Sequence, residues 1–298
     1  MSHLSAAAAP RALSARPGLS GTALKTIALV LMVLDHIHYF FEFTGLVPLW
    51  FTQLGRLSAP LFLFCTVEGF AHTHDRRKYF WRIWRISAGM GLLQFLMMYA
   101  GFANRPDGFV PMNAIFMNFV ILIPIWQGID WLRQRRIARG LAAVLIPLIG
   151  WPALFIGLYY AADKTPLAWL LDSILAGIVY TVLPSWTFIM DGGITYILEG
   201  IVLYLLRRHR GWQAAAFVAL GLLFYLALPM RYLMASGSFA PGLLFDTAFE
   251  WMGVFAVVPM LLHNGQRGRG MKQLFYVFYP AHVYLLYALS WGVLLLTQ

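Results

Sequence analysis

Acid, cysteine and charge of any sign are scarce in this chain. Twelve Asp and Glu stand against 22 Lys and Arg, and charged residues fill only 11% of 298 positions. A soluble domain carries about a quarter, so a surface wetted on all sides is excluded. A single cysteine, Cys65, excludes an intrachain disulfide framework and a cysteine metal cluster. No glycine-rich phosphate loop, HExxH motif or fixed-period repeat is present, and no metal site is expected. What is abundant is apolar: 60% of residues are hydrophobic and the mean hydropathy is +0.70. Runs of about 18 residues or more, enough to cross roughly 30 Å of hydrocarbon as helix, recur from residue 24 onward. The alternating ten-residue segments of a barrel are absent. The expected fold is therefore all-α, a polytopic transmembrane helical bundle of about nine to ten segments.

Spans are expected over 24–43, 54–73, 80–101, 110–128, 141–161, 191–206, 212–230, 246–263 and 273–297, with 167–184 as a tenth apolar segment. Residues 1–20, rich in Ala, Ser and Pro, read as a disordered cytoplasmic tail, and 21–298 as one transmembrane domain. Of the 22 basic residues, 18 fall in five places: Arg11 to Lys25, Arg76 to Arg85, Arg133 to Arg139, Arg207 to Arg210 and Arg267 to Lys272. The positive-inside tendency makes all five cytoplasmic. The net charge of +10 thus needs no nucleic acid partner; orientation and attraction to the lipid bilayer account for it. Two cytoplasmic loops are separated by an even number of crossings, yet three apolar segments lie between Arg139 and Arg207. One should not cross, and 167–184 is expected as a re-entrant or interfacial piece.

Against this background, ionisable groups inside spans stand out, because each costs about 2.5 to 3.5 kcal/mol at a helix centre. On the first span, "LMVLDHIHYFF", the i, i+3, i+7 spacing puts Asp35, His38 and Glu42 on one face, with His36 turned about 100° from Asp35. An acid–imidazole pair for general base chemistry fits this pattern, as does an interhelical hydrogen-bonding knot. The second span carries Arg56, then Glu68 and His72 at i, i+4, readable as a substrate-holding pair or as a structural bridge. Asn113 and Asn118 mark the fourth span. Asp191 before two glycines suits a helix N-cap or a ligand contact. His282 follows Pro280 in the last span. At 1.5 Å per residue, Asp35 and His36 lie roughly 15 Å in from Lys25, and His282 roughly 15 Å in from Lys272. The two imidazoles can share a layer.

These residues sit in longer stretches: "LKTIALVLMVLDHIHYFF", "GRLSAPLFLFCTVEGFAHT", "DGGITYILEGIVLYLLR" and "HNGQRGRGMKQLFYVFYPAHVYLL". In that order they resemble the TraX family of bacterial membrane proteins, over most of residues 24–290. The resemblance carries over Asp35, His36, Arg56, Glu68, Gly69, His72, Asp191, Gly193 and His282 by position. It implies an inner-membrane acetyltransferase like the one that modifies F-type pilin, with acetyl-CoA as the donor and no metal. This chain departs from the family in a longer tail, in "DGG" where an aromatic is expected after the acid, and in a longer region 162–190. Those departures leave the acceptor open among a pilin N-terminus, a saccharide and a small amine.

The expectation that follows is a bacterial inner-membrane enzyme with a cytoplasmic N-terminus. His36, or second His282, is the base, oriented by Asp35; Arg56, Glu68, His72 and Asp191 hold substrate; Arg76, Arg77, Lys78 and Arg82 meet the phosphates of CoA. A plain topological role for that basic loop competes with the last assignment. A proton-coupled transporter and a noncatalytic pilus or envelope assembly protein are the alternative classes.

Overall fold

A computed structural model of the chain describes residues 17–188, 191–269 and 272–297. Among them the structure is helical, its one β-contact being an isolated bridge between Leu19 and His263. Helix α1 (Gly21–Phe41) starts at Ser20, whose hydroxyl accepts the Ala23 N–H at 3.2 Å, a serine N-cap. The short α2 (Trp50–Gly55) and α3 (Ser58–Ala71) follow, then α4 (Arg76–Ala100), α5 (Ile115–Arg133), α6 (Ile137–Leu145) and α7 (Trp151–Ala162). The second half holds α8 (Ala168–Thr181), α9 (Gly193–Leu205), α10 (Arg210–Leu222), α11 (Leu228–Ala235), α12 (Leu243–Asp246), a 3-10 stretch (Phe249–Ala256), α13 (Val257–Leu261) and α14 (Lys272–Thr297).

Six helical stretches among the described residues are long and apolar enough to cross a membrane: Gly21–Thr44, Trp50–Ala71, Ile115–Arg133, Ile137–Ala162, Arg210–Ala235 and Phe275–Thr297. Helix α4 is 25 residues long, but its first third is basic. The segment expected not to cross, 167–184, holds a 14-residue helix, and the expected span 191–206 a 13-residue one; both rise about 20 Å, short of a hydrocarbon core of roughly 30 Å, so length does not set them apart. The protein is a multi-pass helical bundle. Three boundaries differ from expectation. The fourth span begins only at Ile115, after an irregular stretch 101–114; the segment 246–263 is broken into a 3-10 stretch (Phe249–Ala256) and a five-residue α-helix (Val257–Leu261); and the second span is interrupted at Arg56–Leu57. Most of the expected tail lies outside the described residues, but Leu19 and Ser20 are folded against the loop before α14.

Helix α5 is the central post, with Leu122, Ile125 and Trp126 fully buried and the Trp126 indole donating to the Gly200 carbonyl of α9 at 2.9 Å. Prolines shape the rim. Pro152 has no N–H to offer the Leu148 carbonyl, the chain widens into a π-turn at Ile146–Gly150, and the Trp186 indole bonds Leu148 instead at 2.9 Å. At the C-terminal end of α8, orphan carbonyls of Val182 and Leu183 are taken by the indoles of Trp84 and Trp151.

The basic loops meet at one end of the bundle. Asp130 gathers Arg76 at 2.9 Å, Arg207 at 3.1 Å and the Tyr204 hydroxyl at 2.7 Å, tying α4, α5 and α9 together. At the opposite end Arg105, 4% exposed, bonds the Phe40 carbonyl and the Ser290 hydroxyl and forks onto Asp107. That fork holds the Asp107 carboxyl below the usual carboxylate range. Arg105 thereby joins the ends of α1 and α14.

Candidate functional site: a buried imidazole pair

His36 and His282, each 6% exposed, meet between α1 and α14. The His36 Nδ1 to His282 Nε2 distance is 2.6 Å. Their planes lie within 13° and their centroids 4.8 Å apart, so with nitrogens this close the rings touch edge to edge. The proton positions follow from the ends of the chain of contacts. A carbonyl only accepts, so the Phe278 oxygen, 2.9 Å from His282 Nδ1, requires a proton there. A neutral His282 then has a bare Nε2, which accepts from His36 Nδ1–H. That leaves His36 Nε2 bare, and it accepts from the Asn113 amide at 3.0 Å. Every donor faces an acceptor, and both rings are neutral Nδ1–H tautomers. One atom has no partner: the Asn113 Oδ1, buried beside the pair.

Asp35 is not the acid that orients His36. Its carboxylate lies on the neighbouring face of α1, where it pairs with the Arg56 guanidinium and accepts the Thr52 hydroxyl at 2.6 Å. Arg56 reaches this position because the second span breaks after Gly55. Its second arm holds Glu250 at 2.9 Å, and Phe249 lies beneath it. Glu42, expected on the same face, is exposed in the 3-10 turn Glu42–Thr44 that ends α1. The close approach of α1 and α2 depends on Gly55, since a Cβ there would lie 2.7 Å from Asp35 Cγ and 2.8 Å from Oδ1. Gly55→Ala is expected to cost about 1–3 kcal/mol as overpacking, read as a lowered Tm of the purified protein; an unchanged Tm would show that α2 yields freely.

Two other expected pairings are corrected. Glu68 and His72 do share a helix face, but Glu68 bonds Arg210 of α10 at 3.0 Å, while His72 Nδ1 donates to the Glu68 backbone carbonyl at 2.9 Å. They do not hold one another. A double-mutant cycle is expected to show coupling of about 0.5–1 kcal/mol for Glu68 with Arg210 and none for Glu68 with His72. The reverse pattern would overturn the assignment. Asp191 does not cap its own helix. The N-cap of α9 is Gly192, at φ +87°, with no side-chain bond, a left-handed position that suits glycine. The Asp191 carboxylate instead accepts the Ala114 N–H at 3.2 Å, and Asn118 bonds the Asp191 carbonyl at 2.7 Å. Both contacts fix the start of α5, and so the approach of Asn113 to His36.

Of the four cations expected at a cofactor, Arg76 is committed to Asp130 and Gln127 and stacks on Phe70. Arg77, Lys78 and Arg82 lie outside that cluster. Asn113 was visible in the sequence as a polar residue, but nothing in its spacing linked it to His36, 77 positions away.

A multi-pass α-helical membrane protein built around a neutral, buried imidazole pair is the class these features define. The chain belongs to the TraX family: the family model described as TraX protein matches residues 20–290. Protein TraX of Escherichia coli is 34% identical to it over 131 residues, covering 43% of this chain and 46% of that relative. The alignment thus spans under half of the curated relative. No solved structure matches.

Proposed function

We propose that this protein is an acetyltransferase of the bacterial inner membrane, with its N-terminus in the cytoplasm, moving an acetyl group from acetyl-CoA to an amine or hydroxyl. The observation that carries this reading is the hydrogen-bond chain from the Phe278 carbonyl through His282 and His36 to Asn113. It leaves His36 Nε2 as the one basic imidazole nitrogen whose partner, an amide side chain, can be displaced. In this mechanism an acceptor N–H or O–H takes the place of Asn113. As its nitrogen or oxygen bonds to the thioester carbonyl carbon, its proton passes to His36 Nε2. The carbon–sulfur bond breaks, and CoA leaves as the thiolate and collects that proton. His282 is a positioning residue: its Nε2 accepts from His36 Nδ1–H before and after the ring becomes charged, and a surrounding of low dielectric strengthens that bond.

The test is direct. The purified chain in vesicles, supplied with acetyl-CoA and with pilin, saccharide and small-amine acceptors, should add an acetyl mass to one class. No acetylated product from any class, alongside intact folding, would sink the proposal. Proton-coupled transport is the second reading, favoured by Glu199, which is 2% exposed on α9 and has no hydrogen bond or ion pair among the described residues. Proton flux into liposomes without acetyl transfer would select it.

A further inference from the structure

The basic end of the bundle does not spend its cations evenly. Arg76 and Arg207 share the single Asp130 carboxylate, with Arg133 3.8 Å away, and Arg210 pairs with Glu68. Further along α4 from Arg76 the picture differs. Arg82 faces the Tyr276 ring of α14 rather than an acid, and Arg85 has no ion pair among the described residues. Lys78 has only Asp75, 3.1 Å away and itself half exposed, a surface pair of little worth. These three cations and two tryptophans, Trp81 and Trp84, line one shallow cavity of about 390 Å³. Trp84 is held in place by its bond to the Val182 carbonyl.

What lies beneath the cavity identifies its occupant. Among the exposed positions of α4, which also include Arg77, Met98 and Ala100, six share one face: Lys78, Trp81, Arg85, Gly89, Leu92 and Tyr99 are spaced by three, four or seven residues. The face turns from basic to apolar at Arg85. Below that point Gly89 leaves open space, with nothing within 4 Å of where its Cβ would stand, and Leu92 is 47% exposed. From Arg85 to Leu92 the strip descends about 10 Å, within the roughly 15 Å hydrocarbon depth of one leaflet. A soluble phosphate compound would use the cations and leave the strip bare. A phospholipid would use both, with indoles at the level where tryptophan settles in bilayers.

We propose that this end of α4 binds an anionic phospholipid, its headgroup phosphate held by Lys78, Arg82 and Arg85 and an acyl chain lying along Gly89 and Leu92. This goes beyond acetyl transfer and does not depend on it. The experiment is native mass spectrometry of the full chain released from phosphatidylcholine vesicles carrying a minority of phosphatidylglycerol. The wild type should retain phosphatidylglycerol in preference to phosphatidylcholine. Replacing all three cations, Lys78→Gln with Arg82→Gln and Arg85→Gln, should lower that preference about 100-fold, since one cation near an anionic surface is worth roughly fivefold. Arg139→Gln, on the exposed start of α6, should leave it unchanged. Equal retention by the triple variant overturns the proposal, as does displacement of the lipid by free CoA, which would make this a site for soluble phosphates. If the triple variant does not fold, Gly89→Phe decides: it fills the strip without touching a charge, so lost retention supports the lipid and unchanged retention overturns it.

Discussion

His36→Gln is expected to slow acetyl transfer by about 10² to 10⁴, the range removed with a general base, while the protein still folds and inserts. Glutamine can keep a bond to Asn113 or to His282, so no buried charge is orphaned. His282→Gln should cost less, because its carbonyl oxygen can still accept from His36 Nδ1–H. Asn113→Ala should keep most of the turnover, since it uncovers His36 Nε2 rather than removing it. Turnover in the three variants, with Tm as the control for folding, checks the assignment. A His36→Gln enzyme near wild-type rate would refute His36 as base, and a larger loss in His282→Gln would exchange the two roles.

The second large effect is one of sidedness. The proposed orientation puts Arg76, Arg133, Arg207 and Arg210 in the cytoplasm, and acetyl-CoA, an anion, does not cross lipid. Sealed inverted vesicles should use added acetyl-CoA, and right-side-out vesicles should not, an all-or-none difference in product. Equal use of external donor by right-side-out vesicles would reject the orientation. The approach from the far side is already polar: Glu250, with a half-exposed side chain, leads through Arg56 to Asp35, which is adjacent in sequence to His36. An acceptor working only from that face would place the transfer across the bilayer.

The helical bundle and the shared layer of His36 and His282 were legible in the sequence for simple reasons. Long apolar runs admit only helices in lipid, and a constant rise per residue converts counting into depth. Partner choice was not legible. Asp35 finds Arg56 because α2 and α3 are two helices where hydropathy draws one. Glu68 and His72 satisfy a spacing rule that puts both on one face, but Arg210 arrives from another helix and outbids a neighbour turned along its own backbone. Asp191 sits where a cap belongs and serves the helix beside its own. Asn113 precedes α5 on an irregular stretch that reads as part of a span, so its reach to His36 is a fact of tertiary structure alone.

The loop before α14 also bears on how the site can open. Leu19 exchanges backbone bonds with Leu262 and Asn264, and Gly21 and Thr22 bond the carbonyls of Gln266 and Arg267, so the start of α1 is laced to the loop between α13 and α14. Arg105 laces the far ends of α1 and α14 through Phe40 and Ser290. With α1 held to that loop at one end and to α14 through Arg105 and the His36–His282 contact further along, sliding α1 past α14 would break several bonds at once. The proposed reaction therefore calls for no change in the register of the imidazole pair. In the proposed reaction the acceptor then enters from the third wall, where the 101–114 stretch carries Asn113, by a swing of one amide against a stationary pair of rings.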